Sequence, residues 1–378
     1  MRDLTQDEYL QKVEENKTIF REKYDSEFTI SLSRNVMNII DDVFFRSVFV
    51  GFDEPIERNN LDHPVILASN HSGMAFPWDA MAFGSGLLRR MDYDDSKVCR
   101  VLISPALSYI PIMSPYLMRG LWKKIGGVDA TYLNFETMMQ YPDANILVYP
   151  EGIPGIGKGW NRRYQLQHFA TSFVRMSLKY KTDIVPIATV NGENINPNTY
   201  SFKWVNNLSK KISIPFIPVG LLLVLLPLQP WLFYYSWPAK LTYVRGKRIS
   251  PYKWINKPYE AISTVEIKDI CSRVQAQMQA ELNEAVAQYG RQPYRFGEHL
   301  RKAWQQRRMF PFYLPWGWLF LFHEFMRLWN KRKSDEEINI KFGFGSLFMM
   351  MLKNPFTIFY FLPIIGWLPI IWRGWKRS

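Results

Sequence analysis

His71 and Asp79, eight positions apart, follow an apolar run formed by Val65, Ile66, Leu67 and Ala68. Apolar run, turn, His and then Asp is the order expected where a strand delivers a base to the carboxyl end of a sheet, the place where α/β folds bind ligands. Imidazole can take up and return a proton near neutral pH. A carboxylate on one ring nitrogen fixes the tautomer and steadies the cation that forms when the other nitrogen is protonated. The pair is therefore a candidate for activating a hydroxyl, chemistry that needs no metal. Read alone, it also fits a turn histidine that only hydrogen-bonds its neighbours.

A second chemistry-bearing stretch opens at Tyr149-Pro-Glu-Gly152 and runs to Arg163. Its glycines, Gly152, Gly155, Gly157 and Gly159, let backbone amides approach a phosphate, and Lys158, Arg162 and Arg163 supply charge for one. The loop lacks the Gly-Lys-Ser or Gly-Lys-Thr of a P-loop. Glu151, at the strand exit, is placed to bond substrate hydroxyls. Alternatively the stretch is a basic surface loop with Glu151 as a helix cap.

These groups need elements to hold them. Strand-like runs at 46–52, 65–68, 98–103, 145–150 and 183–190 alternate with helix-like runs at 80–88, 131–140 and 167–179, with a late strand at 241–244. That alternation predicts an α/β fold, a mostly parallel sheet flanked by helices. Leu32, Val36, Ile39, Ile40 and Val43 recur at helical spacing ahead of the first strand. Ser263 and Glu266 form a capping box, and the apolar stripe behind them closes at Gly290. The expected organisation is an N-terminal helical segment at 1–45, a catalytic α/β domain at 46–290 and a membrane-associated extension at 291–378.

Composition narrows the partners. With 378 residues and 47% hydrophobic content the chain can bury a large core, and its net charge of +13 asks for an anionic partner. Aromatic residues make up 16% and cluster with Leu, Ile and Pro, a pattern for a lipid interface rather than a nucleic-acid groove. The two cysteines, Cys99 and Cys271, lie far apart and form neither a disulfide framework nor a zinc spacing. Cys99 reads as a buried strand thiol. The polar N-terminus does not read as a signal peptide, which predicts a start in the cytoplasm.

Residues 215–238 are uncharged and broken by prolines, and Trp231, Phe233, Tyr234, Tyr235 and Trp237 predict a surface dipping into a membrane interface. Residues 311–322 also read as interfacial. Residues 354–372 are long enough to cross a bilayer but are interrupted by Pro355, Pro363 and Pro369, with Arg373, Lys376 and Arg377 beyond them arguing for a cytoplasmic end.

Asn70-His71 with Asp79, then Tyr149-Pro-Glu-Gly152, then Ile184-Val-Pro-Ile-Ala188 resemble in order the motif blocks of the glycerophospholipid acyltransferase superfamily, which includes the lysophosphatidate and glycerol-3-phosphate acyltransferases. The His-Ser-Gly wording of the first block is similar to one subgroup of it. The resemblance spans about residues 45–255. It implies the acyltransferase fold, a fatty acyl donor that is a thioester of coenzyme A or acyl carrier protein, no cofactor, and a glycerolipid or lysophospholipid hydroxyl as acceptor. His71 would be the general base oriented by Asp79, and Glu151, Gly152, Lys158, Arg162 and Arg163 would bind substrate. The partners implied are membrane lipids and the acyl donor, not nucleic acid, and the place is the cytoplasmic face of a membrane.

Three departures stand out. Asp79 lies further from His71 than the family's first block places it, Gly155 stands where the third block carries Arg, and the second block's Arg is missing, with Arg119, Lys123 and Lys124 nearest. Those arginines serve the acceptor's phosphate, so the acceptor's identity stays open. The other reading is a lipid-binding or scaffold protein on the same fold with altered chemistry.

Overall fold

The computed structural model describes residues 5–113, 118, 120–141, 144–210, 216–333 and 336–375. Its centre is a seven-stranded sheet of β1 (Val48–Val50), β2 (Ile66–Ser69), β3 (Cys99–Ile103), β4 (Gly127–Asp129), β5 (Asn145–Val148), β6 (Ile184–Val190) and β7 (Thr242–Arg245), in the order β1-β7-β6-β2-β5-β3-β4. From β6 through β4 all neighbours are parallel. β7 pairs antiparallel with β6 and parallel with the edge strand β1, so these two strands run against the rest. The mostly parallel sheet expected from the alternation is present.

Central strands of such a sheet are covered on both faces and so read as unbroken apolar runs. Every residue of β2 and β6 is buried. Successive side chains still alternate: Leu67 joins the core on one face with Leu147, Val185 and Tyr243, while Ile66 and Ala68 join the other with Ile146 and Val148. The second face is closed by helix Thr264–Tyr289, whose capping box is formed by Ser263 and Glu266 and whose Ile267, Ile270, Val274, Met278 and Leu282 are buried. Gly290 ends it, as the stripe predicts. β4 escaped the sequence reading because Gly127-Val-Asp129 carries a single apolar side chain, unlike the equally short but wholly apolar β1; Gly127 lets it pass close to Trp122, since a Cβ there would lie 2.5 Å from the Trp122 carbonyl oxygen.

The other face carries helix Trp78–Arg90, the N-terminal helical segment from Ser26 to Phe45, and helix Pro315–Lys331. The N-terminal segment is α-helical at Ser26–Leu32 and Asn38–Ile40 and widens into π-turns at Ser33–Met37 and Asp41–Phe45. At its end Arg46 adopts a left-handed backbone, and its guanidinium donates to the carbonyls of Val43, Phe44, Pro238 and Tyr294. One buried side chain thus ties three remote stretches together.

Two expectations are corrected here. Residues 311–322 do not lie at an interface: Trp318, Leu319, Phe320, Leu321 and Phe322 are buried, with Trp318 edge-on to Trp78 at 4.6 Å and to Phe44 at 5.0 Å. An apolar helix face fits lipid and protein equally well, and the aromatic face of the N-terminal segment meets it first. In 216–238, Phe233 and Tyr234 are also buried, whereas Leu221, Leu223, Val224, Leu228 and Trp237 are exposed. Pro215 lies outside the described residues, as do Arg119, Lys376 and Arg377. Residues 354–372 are broken, with helices at Phe356–Phe359 and Leu368–Trp375. Among the described residues no helix is long and apolar enough to cross a membrane.

Candidate active site

β2 ends at Ser69, and Asn70 locks that end to β6: its side-chain amide donates to the Thr189 carbonyl at 3.0 Å and accepts from the Thr189 N–H at 2.7 Å. His71 then leaves the sheet at the carboxyl ends of the parallel strands. The following turn needs positive φ at Gly73 and Met74, and it folds Met74, Ala75, Phe76 and Trp78 into the core. The Trp78 indole donates to the Tyr234 carbonyl at 2.9 Å. Helix Trp78–Arg90 starts there, so Asp79 sits in its first turn rather than ahead of it.

The turn closes the long spacing. His71 Nδ1 lies 2.9 Å from Asp79 Oδ2, which also accepts from the Ser72 N–H at 3.1 Å. With Nδ1–H donating to the carboxylate, Nε2 keeps its lone pair. Asp79 is buried, while the imidazole is 14% exposed and forms part of the wall of a cavity of about 390 Å³. Met81, Leu88, Val101, Ile103, Leu147 and Ile156 line that cavity, making it overwhelmingly apolar. The Tyr149 ring lies 4.4 Å from the imidazole. Cys99, half-buried rather than buried, also borders the cavity, and desolvation pushes its thiol up to about 12.

Glu151 leaves β5 beside this pair, but its carboxylate is already occupied. Oε1 accepts from the His71 N–H at 3.0 Å and Oε2 from the Gln167 N–H at 2.6 Å. It therefore holds the His71 backbone, where a hydroxyl-binding role was expected. Lys158 is 2% exposed and lies between two carboxylates, 3.3 Å from Glu193 and 3.7 Å from Glu151. That corrects the picture of a free cation waiting for phosphate: a buried ammonium needs its charge compensated, and here both partners are protein groups. Burial raises the Glu151 carboxyl while Lys158 lowers it, with a net upward shift; burial lowers Lys158 but Glu193 and Glu151 raise it more.

The remaining candidates divide by exposure. Gly152 has positive φ, is exposed and lines the cavity. Arg162 lies 3.4 Å from the Gln167 side-chain oxygen, and Arg163 is exposed over the Trp160 ring. Neither arginine lines the cavity. Lys123 pairs with Asp129 at 2.6 Å, and Lys124 sits over Phe28. Sequence reasoning missed Glu193, whose Oε1 accepts from the Tyr164 N–H at 3.1 Å as well as facing Lys158. The available signal was a carboxylate just past β6, at Asn191-Gly-Glu-Asn194.

A histidine–carboxylate pair thus stands at the strand ends of an α/β sheet, beside an apolar cavity. Residues 47–190 match the family model described as Acyltransferase. An uncharacterized protein of Mycobacterium leprae is 26% identical over 47% of this chain and 45% of its own length. One from Mycobacterium tuberculosis is 24% identical over 52% and 51%. The chain thus spans about half the length of the curated relatives it matches. The crystal structure of the 1-acyl-sn-glycerophosphate (LPA) acyltransferase PlsC from Thermotoga maritima matches with a TM-score of 0.35 and 13% identity, covering 72% of this chain and 89% of that one.

Proposed function

We propose that this protein is a membrane-associated O-acyltransferase that moves a fatty acyl group from a thioester of coenzyme A or acyl carrier protein to a glycerolipid or lysophospholipid hydroxyl. The observation that carries the reading is the His71–Asp79 pair, 2.9 Å apart, at the wall of an apolar cavity large enough for part of an acyl chain. In this reaction His71 Nε2 takes the acceptor's hydroxyl proton as its oxygen attacks the thioester carbonyl. The carbon–sulfur bond then breaks and the imidazolium returns the proton to the leaving thiolate. Asp79 keeps the ring oriented and steadies its positive charge throughout. The acyl chain occupies the cavity, and Arg162 and Arg163, outside it, meet an acceptor's phosphate, which favours an acceptor of the 1-acylglycerol-3-phosphate kind. The site works at the cytoplasmic face of the membrane, where the thioester donors and the lipid acceptor meet.

The scaffold alternative rested on the long spacing, and a closed dyad supports retained chemistry instead. The deciding experiment offers purified protein long-chain acyl-CoA with lysophosphatidate, other lysophospholipids, glycerol 3-phosphate and neutral acceptors, and follows thiol release and products by mass spectrometry. The expected result is an ester product absent with His71→Ala. Thiol release equal in the two proteins, with no ester formed, would refute the proposal.

A further inference from the structure

The apolar segments 216–238 and 354–372 are joined into one surface. The Ile364 N–H donates to the Leu228 carbonyl at 2.8 Å, the Trp367 indole to the Pro227 carbonyl at 2.9 Å, and the Gln229 side chain to the Phe361 carbonyl at 3.0 Å. The Trp231 and Phe361 rings meet at 5.6 Å. Val224 and Leu228 on one side of this seam, and Phe356, Ile364 and Leu368 on the other, are exposed, as is Phe348 in the preceding helix Phe344–Lys353. An exposed apolar area of this extent marks an interaction site on a protein that must stay dissolved.

We infer that this composite face docks on an anionic lipid bilayer, lying in the interface without crossing it. Charge chooses the occupant. There is no Asp or Glu between residues 194 and 259 or after Glu337, the two stretches that build the face, while Lys203, Lys240, Lys341 and Lys353 accompany them. A protein partner gives no reason for excluding every carboxylate; an anionic headgroup layer does. The broken helices also suit an interfacial position, where backbone groups at the turns still reach water.

Docking here brings the membrane to the reaction. Helix Leu368–Trp375 packs on residues 111–113, and the Tyr234 hydroxyl donates to the Ile112 carbonyl at 2.7 Å. Ile110 and Met113, flanking that contact, line the cavity that holds His71. A lipid acceptor or acyl chain therefore passes between bilayer and cavity along protein and lipid, without crossing bulk water. The inference rests on the membrane part of the proposed function and adds which face is used and why one docked face serves both segments.

Flotation of full-length protein with vesicles of phosphatidylcholine containing phosphatidylglycerol tests it. Val224→Glu in the first segment and Phe348→Glu in the helix that leads into the second should each lower the bound fraction by about tenfold, since each places a charge where the docked face would meet lipid. Leu61→Glu, exposed elsewhere, should float as wild type does. All three should keep the wild-type melting temperature and, with short-chain water-soluble donor and acceptor in lipid-free solution, the wild-type turnover. Unchanged flotation of both face variants would overturn the inference, as would a wild-type protein that fails to bind vesicles. If the flotation pattern holds but wild type transfers no acyl group to any acceptor, the docking face stands and the acyltransferase reading falls.

Discussion

In the proposed reaction Asp79 has two separable tasks: to fix which nitrogen of His71 carries the proton, and to steady the ring once it takes the hydroxyl proton. Asp79→Asn retains a polar group of similar size but can hold the ring in the wrong tautomer, so turnover should fall by about two to four orders of magnitude with little change in apparent KM. His71→Ala should lose a similar factor. Steady-state kinetics on purified, folded variants checks both, and Asn at position 79 with wild-type turnover would remove the dyad from the mechanism. Lys158 makes a different prediction. Replacing it by Met leaves Glu151 and Glu193 buried without their cation, at a cost of about 3 to 5 kcal/mol, measurable by denaturant unfolding. Adding Glu193→Gln should recover part of that loss. His71 and Asp79 were legible because an apolar strand and a turn frame them in the sequence. The occupancy of Glu151 and Lys158 was not, because Glu193 lies on a different strand exit and only the sheet order makes the three neighbours.

Elements were legible where the information is local. The capping box at Ser263 and Glu266 and its stripe gave helix Thr264–Tyr289 with both ends, and Ser263→Ala should cost about 1 kcal/mol in thermal or denaturant unfolding. Apolar runs gave the central strands, whereas β4, with a single apolar side chain, carries no run to read. The π-widened end of the N-terminal segment was equally hidden, and it holds a titrating group. Burial pushes the Asp41 carboxyl up to about 6 from an ordinary 3.8, with hydrogen bonds from Ser47 opposing the shift. The folded protein therefore binds this proton more tightly than the unfolded chain. Its contribution to stability is fully present below about pH 4 and is lost as pH rises through about 6. Asp41→Asn removes the titration, so the melting temperature of wild type relative to this variant should decline across that window and level off above it. Parallel melting curves from acid to neutral pH would show that Asp41 is not held in this way.

At the scale of the whole molecule, the N-terminal segment Ser26–Phe45 and helix Pro315–Lys331 meet in one core. Phe28 and Phe44 from the N-terminal segment, Trp78 from the turn after His71, and Trp318, Phe322 and Phe325 from helix Pro315–Lys331 belong to one core. The stretch after residue 290 is therefore not simply an attachment: helix Pro315–Lys331 packs in the core, while Phe348, Phe356, Ile364 and Leu368 are exposed. Sequence alone separates these poorly, because Trp318 and Phe348 sit in equally apolar surroundings and only the tertiary partner distinguishes buried from exposed. The distinction is testable with one substitution of each kind. Trp318→Ala empties a site walled by Phe44, Phe45 and Trp78, and a buried Trp truncated to Ala costs about 3 to 5 kcal/mol. The loss should also reach the reaction, since Trp78 directly precedes Asp79 and its freedom to shift loosens the hydrogen bond to His71. Trp318→Ala should therefore lower both unfolding free energy and turnover on water-soluble substrates, while Phe348→Glu lowers neither. A Trp318→Ala protein as stable as wild type would place helix Pro315–Lys331 outside the core, and the packing around Trp78 would have to be redrawn.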